Sequence, residues 1–275
     1  MSARSRIDSY RGAAVTLVLG ALAVAAASCT PSAPSRGQAA ASVFPIYDLA
    51  RRVAGDRLEV RLILAPGLDP WAQSLARSAG AGEARVFELG PLMDPILAPP
   101  GMIRPEPLID PHFWTDPVRA QRAVDVIVEA LSGLDPPGAP FYRERASTLR
   151  RSIQALHVDV GRQSQIWTRR RIVTFHGSLF YFAARYGLQV AGVVQPVPGS
   201  EPSARHLEAL LAELRAAEPA ALFSEPQLES QLAATLAREA GVALHPIDPI
   251  GGGPGVESYE QVIRGIARAM DGALR

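Results

Sequence analysis

Three observations predict an α/β fold. From Ile172 to Leu274, short apolar strands alternate with stretches of helical periodicity. Ahead of them, Phe141 to about Trp167 contains no proline and only Gly161, with apolar residues at helical spacing, and reads as one long helix. Nearer the start, residues 42–64 read as strand, helix and strand. Strands and helices alternating at this spacing imply a mostly parallel sheet with helices on both faces. In such sheets ligands bind beyond the carboxyl ends of the strands. The 275 residues suffice for two small domains or one large one.

Taken in order, residues 1–11 carry Arg4, Arg6 and Arg11, residues 12–27 are almost wholly apolar, and Ser28 and Cys29 follow. Basic, apolar, small is the layout of a secretory signal, so 1–28 reads as a signal peptide. The apolar run falls short of the ~20 residues that span a bilayer. The small residues before Cys29 resemble a bacterial lipobox, which implies cleavage there and acylation of its sulfur; the alternative is an ordinary signal peptide cut nearby, leaving a free thiol. Residues 29–41, rich in small residues, form a tether.

Residues 42–46 read as the first strand, Asp48–Ala54 as a helix closed by Gly55, and Arg57–Leu64 as the second strand. The stretch 91–108 holds six prolines and reads as a loop. It leads to Asp110-Pro111-His112-Phe113-Trp114-Thr115-Asp116-Pro117. Each proline stiffens the backbone and disfavours helix in the residue before it. Asp116 is placed to cap a helix over Val118–Leu131, with Pro117 at its first position. His112 thus sits on a short rigid segment at a helix mouth. Asp135-Pro136-Pro137-Gly138 then breaks the chain ahead of the long helix.

Beyond Arg171 the elements are strand Ile172–Phe175, helix Leu179–Tyr186, strand Gln189–Val194, helix Pro202–Ala217 and strand Ala221–Ser224. Helix Leu228–Ala240, strand Val242–Ile247 and helix Tyr259–Leu274 complete the chain. His176, Glu225 and Asp248 each fall just after a predicted strand, so the pattern gathers them at one edge.

Hydrophobic residues make up 48% and charged residues 20%, in keeping with an ordinary globular protein. The formal charge is +1; without Arg4, Arg6, Arg11 and Asp8 it is −1, from 25 basic and 26 acidic residues. No basic face for nucleic acid is indicated. Cys29 is the single cysteine, which excludes an intrachain disulfide and a thiolate-built zinc site. Any metal must be held by His and carboxylate. Gly251-Gly252-Gly253-Pro254-Gly255 lacks the Gly-Lys-Ser/Thr of a phosphate loop and reads as a flexible connection. His157, on the long helix, and His206 and His245 read as structural or exposed.

Five stretches carry a resemblance. They are Val43-Phe44-Pro45-Ile46-Tyr47-Asp48-Leu49-Ala50; Asp110 to Pro117; Val173-Thr174-Phe175-His176 with Tyr181 to Leu188; Phe223-Ser224-Glu225-Pro226-Gln227; and Ile247-Asp248-Pro249-Ile250-Gly251-Gly252. In this order and spacing they resemble the solute-binding lipoproteins of zinc and manganese ABC importers, over about residues 42–275. The resemblance implies an N-terminal α/β lobe at 42–138, a linking helix at 139–167 and a C-terminal α/β lobe at 168–275. It implies that His112, His176 and Asp248 hold a metal ion, with Glu225 behind them accepting a hydrogen bond from a ligand histidine. Two imidazoles and a carboxylate suit Zn2+; Mn2+ prefers more oxygen and comes second.

Where the family has a ligand histidine after Asp-Pro, this chain has Trp71, whose only nitrogen is a donor. The expected role is a monomeric, lipid-anchored binding protein in the periplasm or on the outer face of the cell membrane, serving ABC permease subunits. Two alternatives are a diverged member with weakened or lost metal binding, such as an adhesin, and a zinc hydrolase with Glu225 as base. Metal binding is expected to weaken below about pH 6, where histidines of ordinary pKa, ~6.5, protonate.

Overall fold

The structure, a computed structural model, describes residues 16–20, 38–62, 85–97, 109–196, 202–217, 219–228 and 230–275. Cys29, the expected cleavage site before it, Trp71 and most of the proline-rich loop lie outside the described residues.

The N-terminal half holds strands β1 (Thr16–Gly20), β2 (Gln38–Ala41), β3 (Glu59–Leu62) and β4 (Arg85–Glu88), in the order β3-β2-β1-β4. β2 and β3 are parallel; β1 is antiparallel to β2 and to β4, with Val18 facing Ala40 on one side and Val86 on the other. The apolar run read as a leader thus supplies one of the two inner strands. The last four residues of the expected tether are themselves β2. The strand expected at 42–46 is displaced, because helix α1 starts at Phe44 with Pro45 in its first turn. Proline there costs no hydrogen bond and presets the helical φ. β4 was not anticipated; four residues carry little periodic signal.

Helix α2 (Pro117–Leu134) begins as its sequence requires, with the Asp116 side chain accepting from Val118 N and proline in the first turn. Helix α3 (Ala139–Ser164) is the long one. The second half then alternates β5 (Arg171–Thr174), α4 (Phe180–Tyr186), β6 (Gln189–Val193), α5 (Ala204–Ala217), β7 (Ala221–Ser224), α6 (Ser230–Ala240), β8 (Ala243–Pro246) and α7 (Tyr259–Leu274). Its sheet is fully parallel, in the order β6-β5-β7-β8. The chain leaves β5 in one direction and β7 in the other, so the order reverses between them. Period-two alternation covers both faces. Ile172 and Phe223 point into one core, and Val173 and Leu222 into another shared with Leu210, Leu214 and Leu236 of α5 and α6.

The first of these cores runs through both halves. It joins Leu49 and Val53 of α1, Ile127 of α2, Ile153 of α3, Phe182 of α4, and Ile263 and Met270 of α7. α7 is also tied polarly. Tyr259 N donates to Asp48 Oδ2 at 2.9 Å, and Glu260 takes Arg52 and Ser152, each at 2.7 Å. Residues 251–255, expected to be a flexible connection, form a closed turn instead. Gly252 N donates to Val256 O at 2.8 Å, and Gly252 has φ 85°. A Cβ on Gly252 would stand 2.9 Å from the Phe44 ring. Only glycine allows both that backbone and that approach.

Candidate metal centre

The reversal between β5 and β7 places the site. Phe175-His176 leaves the carboxyl end of β5, Glu225 the end of β7, and Ile247-Asp248 the end of β8. Ligands bind at such switch points because the diverging connections leave a crevice. His112 reaches the same place from the other half, on the segment before α2.

The His112 and His176 rings meet edge to face, centroids 4.9 Å apart, and both residues are buried. His112 is oriented by Asp110, whose Oδ1 lies 2.7 Å from His112 Nδ1 and 2.9 Å from its backbone N. With Nδ1–H on the carboxylate, the Nε2 lone pair faces outward for a cation. The motif by itself assigns Asp110 no part in the site. The position of Asp110 two residues before His112, on a proline-stiffened turn, was the available signal. His176 Nδ1 is buried and makes no hydrogen bond among the described residues. An unpaired nitrogen in such a place fits a metal ligand. Burial pushes the His176 imidazole down to about 3; the neighbouring His112 adds to this and the Gln195 backbone opposes it. This imidazole therefore stays neutral well below pH 6, which corrects the expectation of protonation near 6 for His176.

Glu225 is buried, and Ser178 Oγ donates to its Oε1 at 2.6 Å. Its partner is thus Ser178 rather than the expected histidine. Burial pushes its carboxyl up, the Ser178 hydrogen bond and His112 pull it down, and Asp248 pushes it up again. Asp248 is partly exposed, and its Oδ1 accepts from Gln227 Nε2 at 2.8 Å, Ile250 N at 3.1 Å and Gly251 N at 2.9 Å. The structure therefore brings His112 and His176 into contact, with Glu225 and Asp248 near enough to act on one another electrostatically. Among the described residues no three His, Cys, Asp or Glu side chains converge as a finished metal set.

A polar frame links the two halves around this pair. The Asp116 carboxylate is fully buried and accepts four donors. Val118 N at 2.9 Å and Arg185 Nε at 2.8 Å reach Oδ1; Arg185 Nη2 at 2.8 Å and Arg119 Nη1 at 2.6 Å reach Oδ2. Tyr181 Oη donates to Asp110 O at 2.9 Å, and Trp114 Nε1 donates to Pro249 O at 2.9 Å, next to Asp248. His157, away from the pair, lies 3.2 Å from Tyr186 Oη, and burial and Arg185 push it down. His206 Nε2 lies 3.2 Å from Val193 O, while His245 lies near Phe223. All three have structural surroundings, as expected.

A sequence model of the family described as zinc-uptake complex component A periplasmic (ZnuA) matches residues 67–273. The high-affinity zinc uptake system protein ZnuA of Paracoccus denitrificans is 31% identical over 169 residues, covering 60% of this chain and 52% of that protein. The zinc-binding lipoprotein AdcA of Streptococcus pneumoniae is 25% identical over 268 residues, covering 84% of this chain and 54% of that one. The chain spans about half the length of the curated relatives it matches. A solved structure of a zinc-bound AdcAII mutant variant from Streptococcus pneumoniae superposes with a TM-score of 0.73 at 25% identity, covering 85% of this chain and 97% of that chain. The laminin-binding adhesin Lmb of Streptococcus agalactiae, at 23% identity and a TM-score of 0.73, is similar in fold alone. With the family model spanning most of its length, the chain belongs to the zinc-uptake complex component A periplasmic family.

Proposed function

We propose that the chain is an extracytoplasmic binding protein that captures one Zn2+ and delivers it to the membrane subunits of an ABC importer. His112 through Nε2, His176, and Asp248 through Oδ2 are the protein ligands, and the fourth place falls to water, Glu225 or a further residue. The observation that carries this reading is the buried histidine pair at the β5–β7 switch point, one ring oriented by Asp110 and the other with an unpaired nitrogen. Two nitrogens and a carboxylate favour zinc, with manganese second. The protein acts by binding and release rather than by catalysis. Cys29 carries the lipid that holds the monomer at the membrane surface, and 1–28 is its leader.

Calorimetric titration tests the reading. One zinc per chain is expected, with His112→Ala and His176→Ala weakening binding at least ~10-fold more than His157→Ala, since even partners outside the ligand set contribute that much. Equal effects from all three substitutions would overturn the assignment.

A further inference from the structure

Asp248 is held by one oxygen. Oδ1 accepts from Gln227 Nε2, Ile250 N and Gly251 N. Three donors crowd this one oxygen and leave it no room for a cation. Oδ2 takes part in none of these three bonds. Two of the donors belong to the turn that carries Asp248 and move with it. The third does not: Gln227 stands two residues beyond Glu225, after β7, and reaches across to β8. It is the side-chain link between the loop bearing Glu225 and the turn bearing Asp248.

We propose that Gln227 is a positioning residue that makes Asp248 a one-oxygen ligand and so sets the preference of the site for zinc over manganese. The inference rests on Asp248 being a ligand, as proposed above. Zinc is satisfied by four donors in a tetrahedron. Manganese favours six donors, mostly oxygen. A carboxylate free to turn both oxygens to the ion adds one hard donor and raises the coordination number. Shifting the Asp248 turn as a unit to bring both oxygens to the ion keeps the two backbone donors but pulls Oδ1 off the Gln227 amide, and a hydrogen bond to a charged acceptor resists this. The sequence hid this role, because Gln227 follows a proline in a surface loop and carries no charge.

Gln227→Met keeps the side-chain length and removes the donor. Gln227 is exposed, so the fold is expected to be unchanged, and a thermal unfolding curve checks it. Zn2+ and Mn2+ dissociation constants are measured by chelator competition for wild type, Gln227→Met and Asp248→Ala. The visible spectrum of the Co2+-loaded protein, intense for four-coordinate and weak for higher-coordinate ions, is recorded alongside. The expected result for Gln227→Met is a fall of about 10-fold or more in the ratio of zinc to manganese affinity, the low end of what partners outside the ligand set contribute. Its Co2+ bands should weaken. If Asp248→Ala abolishes tight zinc binding while Gln227→Met leaves both the ratio and the spectrum unchanged, this inference falls and the site stands. If Asp248→Ala binds zinc as wild type does, Asp248 is no ligand, and the inference and the site reading fall together.

Discussion

His176 shows how burial decides what a side chain can do. Its imidazole is pushed down to about 3, against ~6.5 in an unfolded chain. Between those values the unfolded chain binds the extra proton and the native chain does not, so stability rises with pH across that window. The contribution is fully present above ~6.5 and is lost as pH falls towards 3. The metal-free protein should therefore show a thermal midpoint that drops from pH 6.5 to pH 4, with a flatter slope in His176→Ala; parallel slopes would count against it. Trp71 gives a second prediction, grounded in the motif that its position interrupts. Trp71→His should restore the family's ligand and raise zinc affinity at least ~10-fold. An unchanged or weaker dissociation constant by calorimetry would mean that the site is built around tryptophan. The placing of His112, His176, Glu225 and Asp248 at strand and helix ends was legible in the sequence, because each sits in a short motif there. Ser178 and Gln227 were not. Their roles come from partners 47 and 21 residues away in the chain, and local pattern carries no record of such pairings.

Among the elements, α4 binds the halves together more than its seven residues suggest. It follows His176 directly, and through Tyr181 and Arg185 it grips both ends of the segment that carries His112. Asp116 has two duties, capping α2 and receiving Arg185 from the other half. Only the first could be read from Asp-Pro before a helical run. Arg185→Met removes two of the four donors from a carboxylate that is fully buried. Breaking a buried ion pair costs ~3–5 kcal/mol. The Arg185 side chain is 31% exposed, so about 2–3 kcal/mol is expected, read from urea unfolding; a loss under ~0.5 kcal/mol would reject the clamp. Element order in the second half was legible almost to the residue, since Ala221–Ser224 and Tyr259–Leu274 stand where the alternation put them. The first half was harder. Val43-Phe44-Pro45-Ile46 looks extended by composition, yet its proline suits the first turn of a helix, and β4 was too short to signal.

At the scale of the whole molecule, the continuous core from α1 to α7 and the packed turn at Gly252 argue for halves that move little relative to one another. Sequence alone, in which the glycine run reads as flexible, did not show this, because the contacts pair residues some 200 positions apart: Gly252 against Phe44, Glu260 against Arg52. Membrane attachment is testable directly: Cys29→Ser should release the protein from the membrane fraction, and intact mass of the processed wild type should show acyl chains. That processing bears on β1. Thr16–Gly20 lies upstream of Cys29 and runs antiparallel to both β2 and β4, so β2 and β4 point the same way. If a peptidase cuts before Cys29, β1 leaves the sheet, and two like-directed edges remain on either side of the vacated place. They can close on each other as a parallel pair, giving the first half the all-parallel arrangement of the second. The polypeptide that leaves the ribosome and the one that works at the membrane would then differ in strand pairing as well as in length. Amide hydrogen exchange at β2 and β4, compared between uncleaved and processed forms, would register the exchange of neighbours as a change in protection confined to those two strands.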